Sequence, residues 1–152
     1  MHSLTERVVT KRVKVDGTNY AGAANTTDLT SESVDTLGFD GVRFLVGFGA
    51  ITAGAVTSVK AQQSTADGSG QSDLAGSSQS VADTDDNKVV IIDIYRPQER
   101  YVNTVIDRGT QNAVVDFVIA ELYSGRKQPV TQDATIVGAA AEVFASPEEG
   151  TA

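Results

Sequence analysis

The sequence of 152 residues contains no cysteine and a single histidine, His2, at the start of the chain. Without cysteine there can be no disulfide, thiolate nucleophile, iron–sulfur cluster or Cys-based zinc site. Without a histidine in its body, the chain has no Ser-His-Asp triad and no His-based metal centre. Carboxylate, Lys or Tyr chemistry is not excluded by these absences, but the loss of the commonest catalytic and ligand groups favours a protein that is not an enzyme and that carries no cofactor or metal.

Long hydrophobic runs are also missing. No segment approaches the roughly 18 consecutive apolar residues of a membrane-spanning helix. The first seven residues, MHSLTER, lack the apolar core of a secretory signal. The sequence therefore predicts a protein that is not exported and has no membrane partner.

Charge is unevenly distributed along the chain. Residues 1–15 contain four basic residues and one acidic residue, Glu6, which gives them a local charge of +3. Because the overall charge is −8, the remaining residues carry −11. An acidic body argues against a nucleic-acid partner, because phosphate affinity needs clustered Lys and Arg. The basic leader is either a docking arm for an acidic surface or a polar edge strand. Its candidate contacts are Arg7, Lys11, Arg12 and Lys14.

Short apolar runs separated by Gly, Asp, Asn, Ser and Thr are typical of strands joined by turns. In residues 41–49 four apolar side chains share one face and glycines lie on the other, which predicts a half-buried strand that another backbone or a partner approaches closely. Residues 113–123 also fit one helical face, but their Val and Ile content favours a strand. Strands are predicted at 7–15, 41–49, 56–64, 88–95, 100–107, 113–123 and 129–137, the second and third forming a hairpin.

This pattern predicts an all-β fold, a single antiparallel β-sandwich that is jelly-roll-like with extended N- and C-terminal arms. Residues 1–15 form the basic arm or edge strand, residues 16–138 the sandwich and residues 139–152 the C-terminal arm. Within the sandwich, residues 16–38 are expected to be a long loop with one short strand. Residues 65–87 are expected to be a surface excursion with one short strand near 78–81.

The segment 88–95, KVVIIDIY, is apolar on both faces. This composition predicts burial on both sides, either inside the sandwich or under a subunit interface. Val89, Ile91 and Tyr95 are therefore candidate interface contacts. Val143 and Phe144 are apolar anchors in the C-terminal arm and are candidates for the same role.

Two groups of carboxylates are candidates for chemistry. Residues 83–87, DTDDN, offer oxygen ligands for calcium, but they lack the Gly and distal Glu of an EF-hand loop, so a solvated acidic turn is favoured. A second group interrupts apolar strands and offers an acid–base pair, although aromatics at 6% are few for a glycosidase-type site. We expect this second group to pair instead with arginines. The carboxylates are Asp93, Asp107, Asp116 and Glu121, and the arginines are Arg96, Arg100, Arg108 and Arg126.

These arginines, with Lys127, also form a candidate basic cluster. A meander of the intervening strands would bring them together at one end of the sandwich, where they would bind phosphate or an acidic partner. Local ion pairing with the carboxylates above is the favoured interpretation.

The stretch KVVIIDIYRPQERYV, followed by TQNAVVDFVIAELYSGRKQPVTQ, resembles small virion proteins of tailed bacteriophages that decorate or cement the head. The resemblance covers residues 88–131 and, more weakly, 41–62, and it includes no catalytic motif. It implies a non-enzymatic structural protein that is made in the host cytoplasm and lies on the capsid surface of the virion. The implied partners are the major capsid protein and further copies of the chain, as a homodimer or homotrimer.

Two other functions stay open at this point. One is a carbohydrate- or receptor-binding β-sandwich module, which needs a surface platform of aromatic side chains. The other is a tail-tube or head–tail connector subunit, which would assemble into rings or tubes.

Overall fold

The computed structural model describes residues 3–137, 143 and 148–150. Within these residues a short 3-10 helix at Leu4–Glu6 precedes eleven β-strands. The strands are β1 (Val9–Val13), β2 (Gly22–Asn25), β3 (Leu29–Thr30), β4 (Val34–Asp35), β5 (Gly41–Ile51), β6 (Val56–Ser64), β7 (Ser72–Asp73), β8 (Gln79–Val81), β9 (Val89–Tyr95), β10 (Tyr101–Gly109) and β11 (Ala113–Tyr123). The part of the chain so described contains no helix long and apolar enough to cross a membrane.

The strands form two antiparallel sheets that pack face to face. Sheet A has the order β1-β11-β5-β9, and β2 also pairs with β11. Sheet B has the order β3-β10-β6-β7, with β4 on β10 and β8 on β6. The long strands β5, β6, β9, β10 and β11 alternate between the sheets, so each connection crosses the sandwich. This is the strand order of a jelly roll, and the predicted antiparallel sandwich is confirmed.

The predicted hairpin between residues 41–49 and 56–64 is wrong. β5 pairs with β11 and β9 in sheet A, whereas β6 pairs with β10 in sheet B. The turn between them contains Gly54 with a φ of +81°. A tight hairpin and a turn that crosses the sandwich use the same residue types, so this local pattern does not separate the two connections.

The hydrophobic core lies between the two sheets. The predicted inward face of β5, Val42, Phe44, Val46 and Phe48, is at most 2% exposed. Sheet B faces it with side chains such as Ile106, which is fully buried. Burying one such aliphatic or aromatic side chain stabilises the fold by about 1.5–3 kcal/mol, so the facing rows hold the sheets together.

An irregularity in β11 explains why its sequence also fits a helix. Ala113 and Val115 face the core, the register shifts between Val115 and Phe117, and from there Val118 and Ala120 face the core. A bulge of this kind moves every later side chain to the opposite face. The predicted strand is confirmed, and the shift leaves Phe117 on the outer surface of sheet A.

Two segments differ from their predicted structure. Residues 129–137 contain no strand and instead run beside β1. Residues 16–38 contain the three short strands β2, β3 and β4 where one was expected, and these extend both sheets at their margins. The short strand predicted near 78–81 is present as β8.

Candidate interaction surface

The outward side of β9 is apolar and open. Its side chains alternate, so that Ile92 is 4% exposed in the core while Val89, Ile91 and Tyr95 are 46%, 49% and 61% exposed. The prediction that this strand is buried on both sides inside the sandwich is therefore wrong. Its alternative, burial under another subunit, stays a prediction.

Neighbouring strands extend this surface across sheet A. Leu45 of β5 lies opposite Ile91, and Ile119 of β11 lies opposite Leu45. Phe117 lies opposite Gly47, which itself lies opposite Val89. Because Leu45, Phe117 and Ile119 are only half-buried, the five side chains form one continuous patch. We call Val89, Ile91, Leu45, Phe117 and Ile119 the apolar face.

The outward-facing glycines of β5 are covered by the chain itself. A Cβ at Gly47 would lie 2.5 Å from Phe117 Cζ, and one at Gly41 would lie 2.9 Å from Tyr123 Cε1. The close neighbour is thus an aromatic ring of β11 at Gly41 and Gly47, and the side chains of Val114 and Asp116 at Gly49. An aromatic side chain that packs over a cross-strand glycine pins the register of the two strands.

A polar group borders the apolar face at the far end of the same strands. The Tyr123 hydroxyl donates to Asp93 Oδ1 at 2.6 Å, and Arg43 Nε donates to Glu121 Oε2 at 2.8 Å. Burial, aided by the bond to Asp93, raises the pKa of the Tyr123 phenol. These four side chains line a shallow cleft of about 250 Å³ with Leu4 and Val8.

The expected pairing of strand carboxylates with Arg96, Arg100, Arg108 and Arg126 is wrong in the described residues. Asp93 and Glu121 use Tyr123 and Arg43, as above, and Asp107 Oδ2 accepts a bond from Ser58 at 3.0 Å. Asp116 is exposed at the edge of the bulge. Asp93, Asp107 and Glu121 thus accept hydrogen bonds from side chains of other strands.

The outer face of sheet B has the opposite character. Lys60 Nζ pairs with Asp73 Oδ2 at 3.0 Å, and Gln62 donates to the same carboxylate at 2.7 Å. Asp107 and the exposed Thr30 lie farther along the same face. One outer surface of the sandwich is therefore polar and hydrogen-bonded, and the other is apolar.

The basic leader is part of sheet A. Residues 9–13 pair with β11 as an edge strand, which is one of the two structures expected for this segment. Arg7 and Arg12 are exposed, while Lys11 contacts Glu32 at 3.4 Å. Lys14, half-buried, lies with Arg12 over the ring of Tyr20.

Side chains from residues 129–137 cover the outer edge of this strand. Gln132 Oε1 accepts from Thr10 N at 3.0 Å, and Thr135 Oγ1 accepts from Arg12 N at 2.9 Å. The Gln132 amide also donates to the carbonyls of Thr5 and Val8, both at 2.8 Å. Residues 129–137, where a strand was predicted, thus contact β1 through side-chain hydrogen bonds.

The predicted basic cluster is only partly assembled. Arg96, Arg100 and Arg126 line one cleft of about 590 Å³ at an end of the sandwich. Arg100 is bound there by Asp35, with Nε–Oδ1 and Nη2–Oδ2 distances of 2.8 and 2.6 Å. Arg108 does not join them, because its guanidinium is buried among backbone carbonyls.

Arg108 is a residue whose role the sequence interpretation missed. It is 4% exposed and donates to the carbonyl oxygens of Thr27, Ala23 and Ala113. A signal was present, because Arg108 falls on the same alternating face of β10 as the buried Val102 and Ile106.

The acidic turn at residues 83–87 binds backbone N–H groups. Asp86 accepts from Ile51 N at 2.6 Å, and Asp83 accepts from Gly54 N at 2.7 Å. Asp85 accepts from Ala82 N and from Lys88 Nζ. No three His, Cys, Asp or Glu side chains in the described ranges are grouped to hold a metal ion. The carboxylates instead anchor the turn between β5 and β6 to the start of β9.

The tyrosines do not form an open aromatic platform in the described residues. The ring centroids of Tyr20, Tyr95 and Tyr101 lie 5.4, 5.1 and 5.1 Å from the guanidinium carbons of Arg12, Arg96 and Arg100. Tyr123 covers Gly41. Tyr95 and Tyr123 lie on either side of Gly41 in one cross-strand row of sheet A, whereas Tyr20 and Tyr101 lie beside arginines elsewhere.

The two tail anchors differ in what the structure shows. Val143 is 52% exposed, whereas Phe144 lies outside the described residues. Their predicted role as contacts stays a prediction. No protein-family model matches this chain, and no curated protein matches its sequence.

Proposed function

We propose that this protein is a non-enzymatic structural protein of a tailed-phage virion, which decorates and stabilises the head by docking its apolar face on the major capsid protein. The observation that carries the proposal is the contrast between the two outer faces of the sandwich. An exposed apolar patch with a polar border is typical of a protein-binding surface. The resemblance of residues 88–131 to head decoration proteins supplies the kind of partner.

The apolar face lies on a rigid part of the fold, as a docking surface requires. The apolar face belongs to the long paired strands β5, β9 and β11, so its side chains are positioned before binding and little conformational entropy is lost. The polar face of sheet B then points to solvent. The exposed basic residues Arg7 and Arg12 lie at the β1 edge, where they would contact an acidic rim of the capsid surface.

Weak contacts suffice for this role. The five side chains of the apolar face are already half-buried or about half-exposed, so docking gains about 1 kcal/mol for each. A head presents many identical sites, and a protein that engages more than one site gains affinity through multivalency. The expected result is a modest intrinsic affinity and tight retention on assembled heads.

Co-sedimentation with empty tailed-phage heads that lack the protein tests this proposal. We expect the wild-type chain to pellet with the heads and Leu45→Lys to remain in the supernatant, because Leu45 lies between Ile119 and Ile91 in the apolar face and a charge there cannot be desolvated without a partner. Thr30→Lys is the matched control, since it adds the same charge to the outer face of sheet B. Equal binding of both variants would refute docking through the apolar face.

Stabilisation is measured separately on DNA-filled heads that lack the protein. Heads with bound protein should release their contents at a higher temperature than bare heads. Bare and decorated heads of equal heat and pressure resistance would leave a cementing role without support.

A further inference from the structure

One main-chain edge of β9 is open. Lys88 O accepts from Phe48 N at 2.9 Å and Arg96 N donates to Asp40 O at 2.7 Å, so the even-numbered residues of this segment face β5. In an antiparallel strand the alternate residues point the other way. The N–H and C=O groups of Val89, Ile91, Asp93 and Tyr95 therefore point to the margin of the sheet. Across that margin the described residues supply one contact, from Gln79 Nε2 to Ile91 O at 2.9 Å.

Among the described residues, the open edge lacks the protective features that sheet edges normally carry. Charged side chains, prolines or covering loops usually prevent edge strands from pairing with other chains. The only charged side chain of β9 is Asp93, and its carboxylate is bound by Tyr123 on the far side of β5. The opposite edge, β1, is covered by Gln132 and Thr135. The chain protects one edge of sheet A and leaves the other available.

Charges at the two ends of β9 are complementary for antiparallel pairing. The strand follows an acidic turn in which three aspartates outnumber Lys88, and it ends at Arg96. Arg96 is exposed and makes no ion pair with a described residue. If two β9 strands pair about Ile91, the Arg96 end of each copy lies beside the acidic turn of the other, and Ile91 lies opposite itself.

We propose that β9 pairs with β9 of a second copy, antiparallel, about a two-fold axis through Ile91. In this pairing a backbone N–H of the second copy donates to Ile91 O and takes the place of the hydrogen bond from Gln79. The same register puts Val89 opposite Asp93 and keeps the two Asp93 carboxylates apart. Pairing of β9 with β1 of another copy is blocked by the side chains that cover β1, so the assembly closes at two copies.

The β9 pairing does not depend on the proposed docking, but it affects how the protein would dock. The two-fold axis is perpendicular to the joined sheet, so both copies present the outer side of sheet A in the same direction. The two apolar faces then form one surface with two equivalent sites. A dimer of this form binds a repeated lattice with two contacts at once.

Site-directed cross-linking tests the register. Because the chain has no native cysteine, every disulfide must come from the introduced residue. Directly opposite residues of a hydrogen-bonded antiparallel pair have Cα atoms about 5.5 Å apart, which a disulfide spans. We expect Ile91→Cys to form a covalent dimer under mild oxidation. Val89→Cys is the matched control, because the two positions 89 would be displaced by about 13 Å along the strands. Equal cross-linking at both positions, or preferential cross-linking at 89, would overturn the proposed pairing.

A second test removes the pairing without a new thiol. The monomer mass is 15.9 kDa. Light scattering should give twice this mass for the wild-type chain and the monomer mass for Ile91→Pro. The proline removes an N–H that points to the open edge, so no hydrogen bond within the monomer is lost. Ile91→Thr is the control, since it shortens the side chain but keeps the N–H, and it should remain dimeric. Circular dichroism and thermal melting verify that each variant is folded.

The outcomes separate this inference from the proposed function. A wild-type monomer that binds heads would overturn the β9 pairing and leave docking intact. A dimer that ignores heads would support the pairing and refute docking on the capsid.

Discussion

Arg108 tests how strongly a buried cation holds two parts of this sandwich together. Its guanidinium donates to the carbonyl oxygens of Thr27 at 2.7 Å, Ala23 at 2.8 Å and Ala113 at 2.9 Å. Its own backbone N–H donates to Asp28 Oδ1 at 2.7 Å. These bonds connect the segment from β2 to β3 with the ends of β10 and β11, which lie in different sheets.

The expected effect of Arg108→Met follows from two opposing contributions. Desolvation lowers the pKa of the Arg108 guanidinium, and methionine removes that cost of burying a charge. It also leaves three carbonyl oxygens without a donor, at about 1–3 kcal/mol each. Because the second contribution is larger, we expect the free energy of unfolding to fall by about 2–4 kcal/mol.

Urea unfolding monitored by circular dichroism measures this difference, with Arg108→Lys as the matched control. Lysine retains the charge, but its single ammonium cannot satisfy the three carbonyls in the geometry of the planar guanidinium. Arg108→Lys should therefore lower the free energy of unfolding, but by less than Arg108→Met does. A change below about 0.5 kcal/mol for Arg108→Met, within the range of ordinary surface substitutions, would refute the assignment of Arg108 as the connecting residue.

Three further perturbations test other contacts. Gly47→Ala should destabilise the protein by about 1–3 kcal/mol through overpacking against Phe117, and a double-mutant cycle with Phe117→Ala should recover part of this loss; additive costs would contradict the contact. The hydrogen bond from Arg100 holds the pKa of Asp35 below its ordinary value of 3.8. This pair therefore stabilises the fold above that pH, and its contribution is lost as the pH falls through the lower folded pKa. Asp35→Asn should accordingly flatten the acid side of the stability–pH curve, by less than about 1 kcal/mol because the pair is largely exposed; an unchanged curve would count against it. Gln132→Ala should speed hydrogen exchange of the β1 amides, measured by mass spectrometry, and unchanged protection would show that the side chain does not cover that edge.

The strands were predictable because their alternation is local. The inward row of β5 follows from a period of two in Val42, Phe44 and Val46. The connections were not, because a turn such as that at Gly54 fits a hairpin and a crossing between sheets equally well. Which strands become neighbours depends on the packing of the whole sandwich, and no local pattern contains that information.

The candidate surface was predicted in part. Val89, Ile91 and Tyr95 were identified from their apolar character, but their exposure depends on β9 lying at the margin of sheet A. The partner of Asp93 was assigned wrongly, because Tyr123 is 30 residues away and reaches it only through the register of three strands. A residue whose partner is set by register cannot be paired from sequence spacing.

The two edges of sheet A differ in whether they can pair with another molecule. This difference sets the valence of the chain, which is the number of other molecules that one molecule can join through this sheet. With β1 covered and β9 open, the described residues leave sheet A with one adhesive edge, so growth through this sheet stops when two molecules have met. Removing the Gln132 and Thr135 side chains together would raise the valence to two. Molecules of valence two that join head to tail continue into fibres instead of closed pairs. The segment 129–137 would then act as a terminator of strand pairing at this edge.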